Sequence, residues 1–364
     1  MPRDSERFGL PVFQAAGFKT EVWDLSPMLK LDAEDAETLP SKHVPSMATF
    51  RCKLAALPRT RTLVLSFLSY GMKTWPYFRA LSRAQVPYAV FWSAFVTNQN
   101  RQESLWTRLR RLRLRPLVEH AFSLIKPSLL GIAPPRLLFA AGGSNTLQVL
   151  GQTDGRTEVV RTHMHDYDIY LECRGHSTGF DRQTAVFIDD YLPFHPDFHR
   201  HGVPPFVSPE EYFPALNSFF DTLEKQRGLQ VVIAAHPRSC DGYEKTFQGR
   251  PLIKGRTAAL VRDANLVLTH ASTATSFALL FLKPLFFLTS DAMNRSTLGG
   301  EIRSFAEELG QPLCNIDHIN PNEIGKMDIK ASEPSYTRFI ERNLKAKGTA
   351  DKPCWQLLVD RIKG

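Results

Sequence analysis

Two apolar runs decide how this chain reads: Val231–Ala235 in VVIAAHPRS (231–239), and Leu266–Thr269 in NLVLTHASTATSFALLFLKPLFFL (265–288). Each stops at a polar cluster, His236-Pro237-Arg238 after the first and His270-Ala271-Ser272-Thr273 after the second. Apolar runs this short, separated by helical pattern, are expected as buried parallel strands. In an open α/β sheet, ligands collect just beyond the carboxyl ends of the strands. Both clusters are expected there, where they would form one anion-binding site.

Outward from that stretch, strands and helices alternate. Thr184–Ile188 (TAVFI) restarts the pattern and ends in Asp189-Asp190. Ser208-Pro209-Glu210-Glu211 opens a helix with a capping serine, proline at the first position and early acids, running to about Arg227. Later elements are a helix from about Asp241, a strand Leu252–Ile253, a helix Ala258–Asp263 and a helix from Ser272. A strand Leu285–Leu288, a helix Met293–Leu309, a strand Leu313–Ile316 and a helical tail from Ser335 complete this half. The first half predicts a helix over Arg3–Ala16, then strands at Lys19–Leu25, Thr62–Leu68, Pro87–Ser93, Arg136–Ala140 and Thr157–Thr162. Helices are expected over Gly71–Ala84 and Arg101–Ile125. The sum is two Rossmann-like doubly wound α/β domains facing a cleft. The Gly/Ser/Thr-containing joint RGHSTGFDR (174–182) sets the boundaries: 1–175, 176–330, and C-terminal helices over 331–364 packing back on the first domain. No strand precedes the first helix, so the first domain either lacks its opening strand or has it upstream of Met1; the second reading is favoured.

With 364 residues, 43% hydrophobic and 23% charged, the chain fits a two-domain soluble enzyme and excludes a disordered one. A net charge of +8 favours anionic partners: nucleotides, phospholipid surfaces or acidic glycans. The five cysteines are scattered, with no CxxC and no zinc spacing, as in a reduced cytoplasmic protein. The chain opens on charged residues rather than a signal peptide, and no run is long enough to span a membrane. GxxxxGK[ST] is absent, and AAGGS (140–144) is too short for a dinucleotide fingerprint.

Several residues are candidates for the chemistry. Proline after His236 fixes the chain as it leaves the strand, so that His236 and Arg238 both face a phosphate; a buried structural histidine is the competing reading. Ser272 and Thr273 fall where a strand becomes a helix, whose free N–H groups attract an anion; an ordinary cap needs only one of them. Asp189 and Asp190 stand where a catalytic acid belongs, or form a turn. Asp166 and Asp168 supply two further acids from the end of the first half, or cap a turn. His195, Asp197, His199 and His201 are closely spaced, but no matching ligand set lies elsewhere, so no metal is expected. Arg108, Arg110, Arg111, Arg113 and Arg115, set among leucines, read as a solvated face, a membrane-surface helix or an acidic-substrate patch. RNA-binding motifs are missing, and nucleic acid is not expected.

An HP motif after one strand and a Ser/Thr cluster one βαβα step later resemble the GT-B glycosyltransferases that build bacterial surface glycans. These include sialyltransferases and polysialyltransferases, capsular Kdo transferases and the polyol-phosphate polymerases of teichoic acid synthesis. The resemblance covers Thr184–Ile316 well and the first half in outline. It implies that His236, with Ser272 and Thr273, holds the phosphate and cytidine end of a CMP- or CDP-activated donor. The chain departs from these families in lacking a Glu-Asp-Gly motif and a ribose-gripping glutamate after the Ser/Thr cluster, where Glu301 is the nearest substitute.

The leading expectation is a metal-independent, inverting glycosyltransferase without cofactor. Its donor would be a CMP-, CDP- or UDP-sugar and its acceptor a surface polysaccharide or lipid-linked glycan, at the inner face of the membrane. A sugar-nucleotide epimerase of the same build and a non-catalytic glycan-assembly protein are the alternatives.

Overall fold

A computed structural model describes residues 8–29, 41–92, 122, 125–143, 153–175, 183–196, 198, 204–328 and 330–364. The arginines at 108–115, Asp197, His199, His201 and the joint at 176–182 lie outside them. The chain divides into two compact units. The first takes in described residues up to His165 and then Lys345–Gly364; the second spans Asp166–Leu344.

The first unit is built on a parallel sheet in the order β3 (Val64–Ser66), β4 (Tyr88–Trp92), β5 (Leu137–Ala141), β6 (Glu158–Thr162). Successive side chains of a strand point to opposite faces, and both faces of this sheet are covered. Tyr88, Val90 and Leu138 pack with Phe50, Phe78 and Leu81; Ala89, Leu137 and Phe139 pack with Phe13, Trp355 and Leu358. The second cluster brings in the C-terminal helix Cys354–Lys363. At Gly9, φ is +68° and a Cβ would lie 2.3 Å from the Trp355 ring, so only glycine lets the first helix sit on that indole. Among the described residues that helix is Leu10–Ala15. The expected strand at Lys19–Leu25 is β1 (Val22–Asp24), which pairs in parallel with an unforeseen β2 (Ser41–His43) in a sheet of its own. Ser41-Lys42-His43 has no apolar periodicity to reveal it.

The second unit carries a six-stranded parallel sheet: β7 (Thr184–Ile188), β8 (Gln230–Ala235), β9 (Leu252–Lys254), β10 (Leu266–Thr269), β11 (Leu285–Thr289) and β12 (Leu313–Asn315). Its order is β12-β11-β10-β7-β8-β9. Numbered within the unit, this is 6-5-4-1-2-3, the doubly wound Rossmann arrangement. The strand order reverses between β7 and β10, and that is where such sheets open a crevice for ligand. The sequence puts the strands there because β7, β8, β10 and β11 are almost wholly apolar and are buried on both faces. Helix Pro209–Arg227 covers one face through Leu216, Phe219, Phe220 and Leu223, and Ser208 caps it by accepting from the Glu211 N–H.

Several expectations are corrected. The segment from Asp241 forms only a 3₁₀ turn, Tyr243–Phe247. The helix expected over Met293–Leu309 is two, Asp291–Asn294 and Thr297–Leu309, because Ser290 and Ser296 each cap a fresh start. The helix expected from Ser272 begins at Thr275, capped by Ala274 without a side-chain bond. Helix His165–Cys173, which no apolar periodicity in the sequence announces, lies almost wholly in the second unit.

Candidate functional site

The carboxyl ends of β7, β8 and β10 bring three of the predicted elements together: Asp189-Asp190, His236 and Ser272. Asp189 is buried and serves as a fixed acceptor. Its Oδ1 accepts from the Tyr191 N–H at 3.0 Å and the Tyr243 hydroxyl at 3.1 Å; its Oδ2 lies 3.5 Å from the His236 N–H. Burial pushes its carboxyl up to about 6, against those bonds. Asp190 is half-buried. Burial, reinforced by the neighbouring Asp189, pushes its carboxyl up to about 7, while bonds donated by the Ser272 hydroxyl and the Ala271 N–H oppose the rise. Asp190 at the end of β7 and Ser272 at the end of β10 thus face each other across the switch point.

Tyr191 has φ +55°, in the left-handed region that non-glycine residues seldom adopt. That backbone turn brings its N–H back to Asp189. Its ring lies parallel to the His236 imidazole, with centroids 6.0 Å apart and an interplanar angle of 5°. The Arg238 N–H donates to His236 Nδ1 at 3.2 Å, so the ring proton of the neutral imidazole is at Nε2. His236 is half-buried; Pro237 and Arg238 are exposed.

His270 does something different. It is fully buried. The Leu288 carbonyl can only accept, so Nδ1 donates to it at 2.7 Å, and Nε2 accepts from the Tyr212 hydroxyl at 2.8 Å. Burial lowers its proton affinity to about 4, so it is neutral at pH 7. Both ring nitrogens are spent on the sheet and its covering helix, and neither is open to the phosphate its sequence position suggested.

The Ser/Thr cluster is divided too. Ser272 is half-buried and Thr273 exposed, but Thr275 and Ser276 point inward: Thr275 bonds Thr269 at 3.2 Å, and the Ser276 hydroxyl donates to Asp166 at 2.5 Å. The N–H groups of Thr275 and Ser276 are taken by the Ser272 and Thr273 carbonyls in a tight turn. The hydroxyls, more than a free helix end, are what this turn offers. Asp166 thus belongs to the second unit and holds its Ser276, while Asp168, two residues further along the same helix, is buried. Glu301 is half-buried on Thr297–Leu309, its carboxyl raised by burial.

The sequence reading missed the three tyrosines. Tyr243 bonds Asp189, Tyr212 bonds His270 and Tyr191 stacks on His236. Nothing in the spacing marks them, because each reaches the site from a different element.

No protein-family model matches the chain, and no curated protein sequence matches it. Solved structures do resemble it. One variant of the wall teichoic acid polymerase TagF superposes with a TM-score of 0.53 at 13% identity, over 98% of this chain and 84% of that one. The calicheamicin glycosyltransferase CalG4 gives 0.47 at 12% identity, over 98% and 88%. A UDP-GlcNAc 2-epimerase from Methanocaldococcus jannaschii gives 0.46 at 13%, over 93% and 88%. At such identity the TagF likeness reports fold alone. With the two parallel α/β units, it gives the chain a GT-B type of fold.

Proposed function

We propose that the chain is a glycosyltransferase moving a sugar from a nucleotide-activated donor to a glycan acceptor. The observation that carries this reading is the meeting, across the switch point, of the Asp190 carboxyl at the end of β7 with Ser272 at the end of β10, beside His236 on the adjacent strand end. An imidazole, hydroxyls and an acid gathered at the switch point, where sheets of this kind take their ligands, support it.

In this reading the His236 Nε2–H and the Ser272 and Thr273 hydroxyls bind the donor's phosphate, with Arg238 adding charge. Positive and hydrogen-bonding groups fixed beside the phosphate stabilise the charge that develops on the nucleotide as the glycosidic bond breaks. That is the work a divalent ion does in other transferases, so the proposal is metal-independent. Asp190 takes the acceptor hydroxyl's proton. A group that titrates near 7 is matched to that task. Asp189, whose oxygens already accept, positions the segment instead. A single displacement with such a base inverts the anomeric centre.

The HP and Ser/Thr pair favours a CMP- or CDP-linked donor, with UDP next, and an acceptor that is a surface polysaccharide or lipid-linked glycan. No helix among the described residues is long and apolar enough to cross a membrane. The basic stretch at 108–115 would instead bring a cytoplasmic enzyme to the anionic inner leaflet. Thermal shift with CMP, CDP, UDP and GDP tests the donor class. Nucleotide release only in the presence of a glycan acceptor supports transfer, whereas acceptor-independent turnover of the sugar nucleotide supports the epimerase. Full transfer by His236→Ala would sink the reading.

A further inference from the structure

Tyr243 grips the end of β7 twice. It is buried and opens the 3₁₀ turn Tyr243–Phe247. Gly242 before it has φ +83°, the left-handed backbone that lets the chain turn back toward β7. The Tyr243 hydroxyl donates to Asp189 Oδ1 at 3.1 Å, the same oxygen that accepts the Tyr191 N–H at 3.0 Å. A carboxylate that accepts the N–H two residues on closes an Asx turn, and Asp190 is the residue inside it. The Tyr243 ring meets the Tyr191 ring edge to face, with centroids 4.9 Å apart and an interplanar angle of 86°. Phe213 and Phe247 stand edge-on to Tyr243 at 5.9 and 5.2 Å and hold it in turn. Tyr191 needs that grip, because its left-handed φ of +55° is strained for a residue with a side chain and persists only where the surroundings fix it.

We infer that Tyr243 is a positioning residue of the proposed donor site, locking the Asp189–Tyr191 turn so that Asp190 faces Ser272 and the Tyr191 ring lies beside His236. This rests on the proposed nucleotide reading and deepens it. The hydroxyl acts on the Tyr191 backbone through Asp189, and the ring acts on the Tyr191 side chain. Burial, reinforced by Asp189, makes the Tyr243 hydroxyl far less acidic than usual, so it stays a donor. Asp189 is the group that changes. Once ionised, it accepts both bonds more strongly, and the Tyr243 bond in turn favours the ionised form against burial. The other titratable groups around this turn are Asp190 and Tyr191 from the same strand end, Tyr212 from helix Pro209–Arg227, and His236 and Cys240 after β8.

The test is Tyr243→Phe in the full chain, which removes the hydroxyl and keeps the ring. Calorimetry at pH 7.5 reads the binding of CDP and UDP. Carbon-13 NMR of labelled aspartates from pH 4.5 to 8 reads the Asp189 carboxyl, identified as the signal missing in Asp189→Asn. Tyr243→Phe should weaken the binding of both nucleotides about fivefold, the worth of one hydrogen bond. It should also move the Asp189 titration upward from about 6, because a donor that favours the ionised form is gone. If wild type binds neither nucleotide, the nucleotide reading itself falls, whatever the Asp189 titration shows. If wild type binds and Tyr243→Phe binds as tightly, the Tyr243 inference alone is overturned. It is equally overturned if affinity falls while Asp189 titrates as in wild type, since the hydroxyl then acts on the fold at large and not through that carboxyl.

Discussion

The ends of β8 and β10 look alike in sequence and differ in the folded chain. Each is an apolar run closed by a histidine, and each histidine stands near the switch point of the same sheet. His236 is half-buried, and its Nδ1 accepts a backbone N–H. His270 is fully buried and gives up both nitrogens, to Leu288 and Tyr212. The cause is what lies on either side. β10 is flanked by β7 and β11 in the middle of the sheet, and Tyr212 of helix Pro209–Arg227 reaches the histidine at its end, whereas β8 has only the short β9 beyond it. A strand end buried by its neighbours turns its histidine into a structural hydrogen-bonding group. A strand end near the rim leaves its histidine half-buried.

This contrast is most directly broken by His270→Ala. Removing the ring leaves the Tyr212 hydroxyl and the Leu288 carbonyl without partners in the core and opens a cavity. The expected loss is about 3 kcal/mol of stability, read by urea denaturation. A neutral result would mean that the buried imidazole is not what joins that helix to the sheet.

The acid pair between the two histidines gives the next largest effect. Asp189 is pushed from an ordinary 3.8 to about 6, chiefly by burial. A carboxyl that holds its proton more tightly when folded favours the fold at low pH. Its contribution is complete below about pH 4 and is lost as pH rises through 6, with Asp190 extending the window to about 7. On linkage, Asp189 alone should cost on the order of 2 kcal/mol across that window. Asp189→Asn should gain stability relative to wild type on going from pH 4.5 to 7.5. A wild-type-minus-variant difference that is constant with pH would show that the acid ionises without penalty.

His236→Ala should do the opposite of His270→Ala. Its stability should change by less than about 0.5 kcal/mol, as for a half-buried side chain near the rim of the sheet, while nucleotide affinity falls about tenfold. Calorimetry and urea denaturation on the same sample separate the two. If His236→Ala instead unfolds the chain and leaves binding intact, the two strand ends have exchanged roles.

The strands of the second unit were legible because buried parallel strands are written as short apolar runs. Thr184–Ile188 and Leu266–Thr269 fall where they were expected, as do the capping Ser208 and the helix it starts. The fates of their terminal polar residues were not legible. Whether a histidine faces solvent or a buried tyrosine depends on Tyr212, fifty-eight residues away in sequence. The same holds for Asp166, whose partner Ser276 is one hundred and ten residues distant. Local pattern carries the period of a strand, but the bonding partner of a side chain at its end is set by which strand lies beside it. Strand order in this sheet reverses between β7 and β10, and no window of sequence contains both.

The smallest effect probes the bond that closes that gap. Ser272 donates to the Asp190 carboxylate and so favours its ionised form against burial. In Ser272→Ala that donor is lost, and Asp190 should hold its proton to higher pH. If Asp190 is the base, the acidic limb of the pH–rate profile for transfer moves upward. Beyond any loss from donor binding, which is the same at every pH, activity should then fall roughly threefold further near pH 6 than at pH 8.5. A uniform loss at every pH would instead assign Ser272 to donor binding alone, and would leave Asp190 without a proton-transfer role in this geometry.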